Sequence, residues 1–177
     1  RITTAEALAL IKREVGALRF DIEAALSMAL PNTPMAGSET HTVSGNYITA
    51  RPYGVIDGVD MLFSGQVRKV DTESIRQHLE TGFIVMMGSI GYSLSGETFN
   101  LKMEEIASKV AIELKAEKLL YLIKGKGIVD HHGERISTLN AQHAANLLED
   151  NLCTEEAKRI LAYAIKAVDG GVNRVQI

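Results

Sequence analysis

The run "FIVMMGSIG", residues 83–91, constrains this chain more than any other stretch. It is continuously apolar and too short to cross a bilayer, and so reads as a strand buried on both faces. A helical pattern stands on either side. "TESIRQHLETG" is capped by Asp71 and closed by Gly82, and a second amphipathic stretch runs from about Leu101 to Lys115. The alternation continues with a strand "KLLYLI" over 118–123, helices near Asn140–Glu149 and Thr154–Val168, and a last strand "NRVQI" over 173–177. Buried strands that alternate with helices pair in parallel through crossovers, which predicts an α/β fold of three layers with a mainly parallel sheet flanked by helices.

The front of the chain obeys the same logic. "TTAEALALIKREVGAL" opens with a capping box, Thr3 with Glu6, and sets Leu8, Ile11, Val15 and Leu18 at helical spacing. A second amphipathic stretch, "RFDIEAALSMAL", ends at Pro31, and the loop "PNTPMAGSE" follows. From Thr42 to Val70 the glycines at 45, 54, 58 and 65 punctuate short β-branched runs. This predicts a strand near 42–50 and hairpins between about 51 and 70 at one sheet edge. No repeat or low-complexity tract interrupts residues 1–177, so a single domain is expected. The apolar surface of the first two helices predicts a homo-oligomer assembled through helices rather than through the sheet.

Composition narrows the partners. The 177 residues are 46% hydrophobic and 23% charged, with a formal net charge of −3 and both signs interspersed. That balance gives no electrostatic reason to expect nucleic acid or membrane, and small molecules or proteins are the expected partners. The single cysteine, Cys153, cannot form an internal disulfide. With no pattern of a signal peptide or a membrane span, a cytoplasmic location is expected. The chain starts at Arg1 without an initiator methionine, which suggests part of something longer.

Candidate chemistry is sparse. "KGKG", residues 124–127, carries the glycines and lysines of a phosphate cradle, but lacks the spacing of the P-loop or of the dinucleotide fingerprint. It reads more simply as a solvated turn. His131 and His132 are adjacent on a turn with no Cys or carboxylate at ligand spacing, so no metal site is expected. Cys153 lies just before a helix cap, where a lowered pKa is conceivable, yet no base stands near it in sequence. Met28, Met35, Met61, Met86 and Met87 read as core filler.

The segments "SGNYITARPYGVIDGVDMLFSGQVRKVD", "GFIVMMGSIGYSLSGETFNLKMEEIASKVAIELKAEKLLYLI" and "AIKAVDGGVNRVQI" resemble the amino-acid-kinase fold over essentially the whole chain. Within that fold the resemblance is to the bacterial N-acetylglutamate synthases. The "GNYITARP", "GVDM" and "SGQVRKVD" segments belong to the synthase branch. The "FN" and "AIELKAEKLLYL" segments are shared with acetylglutamate kinase. The synthases consist of a kinase-like domain followed by an acetyltransferase domain. The resemblance therefore implies a partial kinase-like domain here, with the acetyltransferase outside this chain.

Site residues follow from the same resemblance. Arg1, in "RIT", matches an arginine that pairs with the carboxylate of acetylglutamate, a task suited to a planar guanidinium. Asn100 matches an asparagine that holds the substrate, and on its own reads equally as a helix N-cap. Glu104 stands where the kinases carry an aspartate that organises catalytic lysines, and is one methylene longer; alone, it is a first-turn acid favourable to the helix dipole. Ile123 and Lys124 replace a Thr-Asp pair beside the nucleotide. Arg159 and Ile160 fall at the last two positions of a Gly-Met-x-Pro-Lys run whose lysine stabilises the transferred phosphoryl group. A phosphoryl-transfer site depends on positioning and electrostatics, so these departures imply a degenerate kinase site.

What the resemblance implies is the regulatory and assembly domain of an enzyme that acetylates L-glutamate with acetyl-CoA, the first step of arginine biosynthesis, under feedback by arginine. The chain itself is expected to bind no cofactor and to be inactive alone. Two alternatives stand beside this reading: an acetylglutamate kinase, and a free-standing pseudokinase that only binds ligand or assembles.

Overall fold

The computed structural model describes residues 2–28, 40–123, 127–129, 132, 134–149 and 155–177. In chain order the elements are α1 (Ala5–Leu26), β1 (Thr42–Ser44), β2 (Ile48–Pro52), β3 (Val55–Ile56), β4 (Val59–Asp60), β5 (Gly65–Val70), α2 (Thr72–Glu80), β6 (Ile84–Met86), β7 (Ile90–Tyr92), β8 (Thr98–Asn100), α3 (Met103–Leu114), β9 (Lys118–Leu120), α4 (Ala141–Glu149), α5 (Glu155–Asp169) and β10 (Arg174–Gln176). The expected α/β alternation is the one observed. The chain divides into two compact units, residues 1–103 and 104–177.

In the first unit, four strands form a sheet in the order β5-β2-β7-β8. The β2–β7 pairing is parallel, and β5 and β8 join as antiparallel neighbours. A separate parallel pair, β1 with β6, aligns Thr42 with Ile84 and Ser44 with Met86. The expected strand over 42–50 is thus two strands in two sheets. The switch falls at Gly45–Tyr47, where a side chain on residue 45 would meet the Tyr47 ring at 3.1 Å. Ile48, Ala50, Val67, Val70, Ile75, Phe99 and Leu101 are buried. Gly91 lets the sheet close, because a Cβ there would lie 2.5 Å from Leu101 Cδ1 and 2.8 Å from the Ala50 Cβ.

Three local expectations are corrected. The N-cap of α1 is Thr4, whose hydroxyl accepts from the Ala7 amide at 3.2 Å, not Thr3. Thr3 is held elsewhere: its amide donates to Ser64 Oγ at 2.9 Å, and its backbone bridges Leu62. The two expected helices are one. No Pro or Gly interrupts 17–26, and α1 runs unbroken from Ala5 to Leu26 through the supposed junction at Leu18–Arg19. The run 83–91 is not one strand buried on both faces. Ile84 is 41% exposed, the strand stops at Met86, and the polypeptide re-enters the larger sheet as β7 and turns back as β8. That turn is fastened by serines: Ser93 Oγ accepts from the Glu97 amide at 3.0 Å, and Ser95 Oγ donates to Glu97 Oε2 at 3.0 Å.

The start of α2 is as expected. Asp71 accepts from the Ser74 hydroxyl at 2.7 Å and from the Ser74 amide at 3.2 Å, bonds that hold its carboxyl below the ordinary aspartate value.

In the second unit, β9 and β10 pair in parallel, with Lys118 opposite Arg174 and Leu120 opposite Gln176. The Tyr121 amide extends the ladder to the Gln176 carbonyl at 2.8 Å. Ala111, Ala167 and Val172 form one buried cluster with Leu119 and Val175 against it. Ile128 and Ala157 form another, with Ile136, Leu139 and Ile177. Among the described residues no helix is long and apolar enough to cross a membrane.

Candidate functional site

The residues singled out in the sequence fall into two groups, one in each unit. In the first unit Asn100 ends β8 rather than capping a helix, since α3 does not begin until Met103. Its amide group donates from Nδ2 to Thr3 Oγ1 at 3.1 Å, and its backbone amide donates to the Phe63 carbonyl at 2.8 Å. Thr3 Oγ1 also accepts from Ser64 Oγ at 3.0 Å. Thr3 and Ser64 are both 4% exposed. Three segments distant in sequence therefore meet in one satisfied polar network, and Asn100 is held in one orientation by it. Ser64 carried no signal in the sequence, and Thr3 carried only that of a helix cap.

In the second unit Glu104 lies in the first turn of α3, and Arg159 in α5. Arg159 Nε is 3.5 Å from Glu104 Oε1. The acid and the cation, 55 residues apart, are thus brought together. Beneath them the Tyr121 hydroxyl donates to the Glu104 carbonyl at 3.0 Å. Burial pushes the Tyr121 phenol up from its ordinary value, and the negative charge of Glu104 and then Tyr163 add to the shift. A neutral phenol here serves as a fixed donor, not as a base. Sequence reasoning passed over Tyr121 because a tyrosine in an apolar strand reads as packing.

Ile160 is 4% exposed and belongs to the core, so the position offers packing and no charge. Ile123 is half-buried just past β9. Arg1, Lys124, His131 and Cys153 lie outside the described residues, as do Gly125 and Lys126 of the "KGKG" stretch. Among the described residues no group of three or more His, Cys, Asp or Glu is placed to hold a metal ion. The arrangement around Glu104 has a carboxylate that faces the Arg159 guanidinium and a neutral phenol that is bonded to the Glu104 main-chain carbonyl.

The second unit also has an open cleft of about 860 Å³ whose floor includes Leu161 and Ile165 and whose rim includes Arg135, Ser137, Asn140 and Gln176. Neither Glu104, Tyr121 nor Arg159 lines it. The cleft and the ion pair are therefore separate features, and the chemistry of the residues marks the Glu104 group as the candidate site.

Comparison with known proteins gives the following. The sequence profile of the amino acid kinase family matches residues 2–177. The amino-acid acetyltransferase of Ralstonia nicotianae is 42% identical over 177 residues, which are 100% of this chain and 39% of that protein. The enzyme of the same name from Aeromonas salmonicida is 45% identical, over 98% of this chain and 40% of that protein. Among solved structures, N-acetylglutamate synthase from Neisseria gonorrhoeae complexed with coenzyme A and L-arginine superposes with a TM-score of 0.93 at 41% identity, over 99% of this chain and 41% of the other. The same enzyme complexed with coenzyme A and N-acetyl-glutamate gives 0.90 at 43% identity, over 100% of this chain and 39% of the other. The chain thus spans about two-fifths of the length of these relatives.

Proposed function

The chain belongs to the amino acid kinase family, and from that premise we propose that residues 1–177 are one kinase-like domain, regulatory and architectural, of an N-acetylglutamate synthase. The complete enzyme acetylates L-glutamate with acetyl-CoA, and catalysis belongs to an acetyltransferase domain of the same polypeptide. Arginine is the effector, glutamate and acetylglutamate are the other small-molecule ligands, and the setting is the cytoplasm. The single observation that carries this reading is the close superposition on the gonococcal synthase at more than 40% identity.

The site chemistry supports a non-kinase role. Phosphoryl transfer needs cations free to meet developing charge on the transferred group. Here Arg159 already faces Glu104, and Ile160 is buried. Glu104, Ile123, Lys124, Arg159 and Ile160 together make a degenerate kinase site, which disfavours both an acetylglutamate kinase and any activity of the chain alone. Asn100, fixed by Thr3, and Arg1 remain the residues for binding a carboxylate-bearing ligand.

The test is a chimera in which this chain replaces the matching part of the gonococcal enzyme. Acetyl transfer to glutamate that arginine modulates is the expected result. A folded, active chimera that is indifferent to arginine would overturn the regulatory assignment.

A further inference from the structure

Two Asp-Gly dipeptides occur in the chain, Asp57–Gly58 and Asp169–Gly170, and the fold treats them oppositely. Asp57 and Gly58 are the two central residues of the β3–β4 hairpin, with Ile56 paired to Val59 across them. Both are exposed. Their φ angles, 50° and 77°, fit a type I′ turn. Among the described residues Asp57 is one of three non-glycine residues with positive φ, a region that L side chains occupy at a cost. Among the described residues neither the Asp57 carboxylate nor the Gly58 amide has a hydrogen-bond partner. Added side-chain atoms at Gly58 would meet nothing within 4 Å.

Asp169 instead ends α5. The Gly170 amide donates to the Lys166 carbonyl at 3.0 Å, and Gly171 and Val172 continue the closure to Val168 and Ala167. A Cβ on Gly170 would lie 2.6 Å from Ile112, so although both residues are exposed, one side of Gly170 is packed against α3.

We propose that Asp57–Gly58 is a site of spontaneous isoaspartate formation, a covalent modification that the fold permits at the hairpin tip and suppresses at Asp169–Gly170. The Gly58 amide nitrogen gives its proton to solvent and bonds to Cγ of Asp57. The Cγ–O bond breaks, and that oxygen leaves as water. The cyclic imide then takes up one water. Cleavage of the new Cγ–N bond restores aspartate. Cleavage between the nitrogen and the main-chain carbonyl carbon of Asp57 leaves the backbone running through Cγ. One water leaves and one enters, and nothing is oxidised or reduced. Ring closure requires the Asp57–Gly58 peptide to rotate, which an unbonded amide beside a glycine allows. The product adds a main-chain carbon to a two-residue turn, so the Val55–Asp60 and Ile56–Val59 pairings should loosen with it.

The experiment ages the intact chain in heavy-oxygen water and maps peptides by mass spectrometry with a fragmentation that distinguishes isoaspartate. In the folded chain, label and isoaspartate should accumulate at Asp57 at least about tenfold faster than at Asp169, whose reaction must wait for local opening of the helix end. In denaturant the two sites should label alike. Asp57→Glu should remove the signal at the hairpin while leaving Asp169 unchanged. Equal labelling of both sites in the folded chain would overturn the proposal. So would an unlabelled Asp57 over a period in which the denatured chain labels both.

Discussion

Arg159 Nε lies 3.5 Å from Glu104 Oε1, although the two residues stand on different helices and 55 positions apart. The Arg159 side chain is 52% exposed, so the pair is solvated on one side and contributes about 0–1 kcal/mol. Its importance is chemical: each charge limits what the other can do for an incoming ligand. Glu104→Gln and Arg159→Leu should each shift stability by less than about 1 kcal/mol in urea denaturation, without a change in slope.

Tyr121 makes a second, more buried tie to the same turn. Tyr121→Phe removes the bond to the Glu104 carbonyl and should cost about 0.5–1.5 kcal/mol. The phenol is raised above its unfolded value of 10.0, so folding favours its neutral form. Stability from this group is complete below pH 10.0 and declines as pH rises further, because the unfolded chain then loses the proton first. Alkaline unfolding of the wild type and of Tyr121→Phe should therefore show a difference that shrinks above that pH.

Two glycines should respond in opposite ways to alanine. Gly91→Ala drives a methyl into Leu101 and Ala50 and should cost about 1–3 kcal/mol. Gly16→Ala, within α1 and with nothing within 4 Å, should add up to about 1 kcal/mol. Thermal melts of both variants check the pair.

The buried network at Thr3 should be sensitive to loss of its hydroxyl. Thr3→Val keeps the volume but leaves Ser64 and Asn100 short of a partner, for a cost of about 1–3 kcal/mol. Thr3→Ser should recover most of it, again by denaturant titration.

A prediction on assembly rests on the exposed apolar side chains of α1. Leu10, Leu18 and Phe20 are 50%, 58% and 62% exposed, and Leu8 is the one buried residue of the helix. If the chain self-associates through this helix, Leu18→Lys with Phe20→Ser should lower the sedimentation coefficient at micromolar concentration without loss of helicity.

Much of the fold was legible because its signals are local. The Asp71 cap, the helix closure at Gly82 and the apolar run "KLLYLI" each announce their element. What was not legible depends on partners far along the chain. Thr3 and Thr4 are equivalent capping residues until Ser64 claims the first of them. Asn100 looks like a cap until Phe63 draws its backbone into a sheet. The Glu104–Arg159 contact is a product of tertiary packing that no spacing encodes, and Tyr121 carries no polar pattern around it. The resemblance names positions, whereas the geometry says which side chains meet at Glu104 and at Asn100.

Whether the kinase-like site transfers a phosphoryl group is read by an ADP-release assay on the purified chain with ATP and N-acetylglutamate. No turnover above that seen with ATP alone is expected, and the same trace for Glu104→Ala. Turnover that requires acetylglutamate and disappears in Glu104→Ala would contradict it and restore the kinase reading.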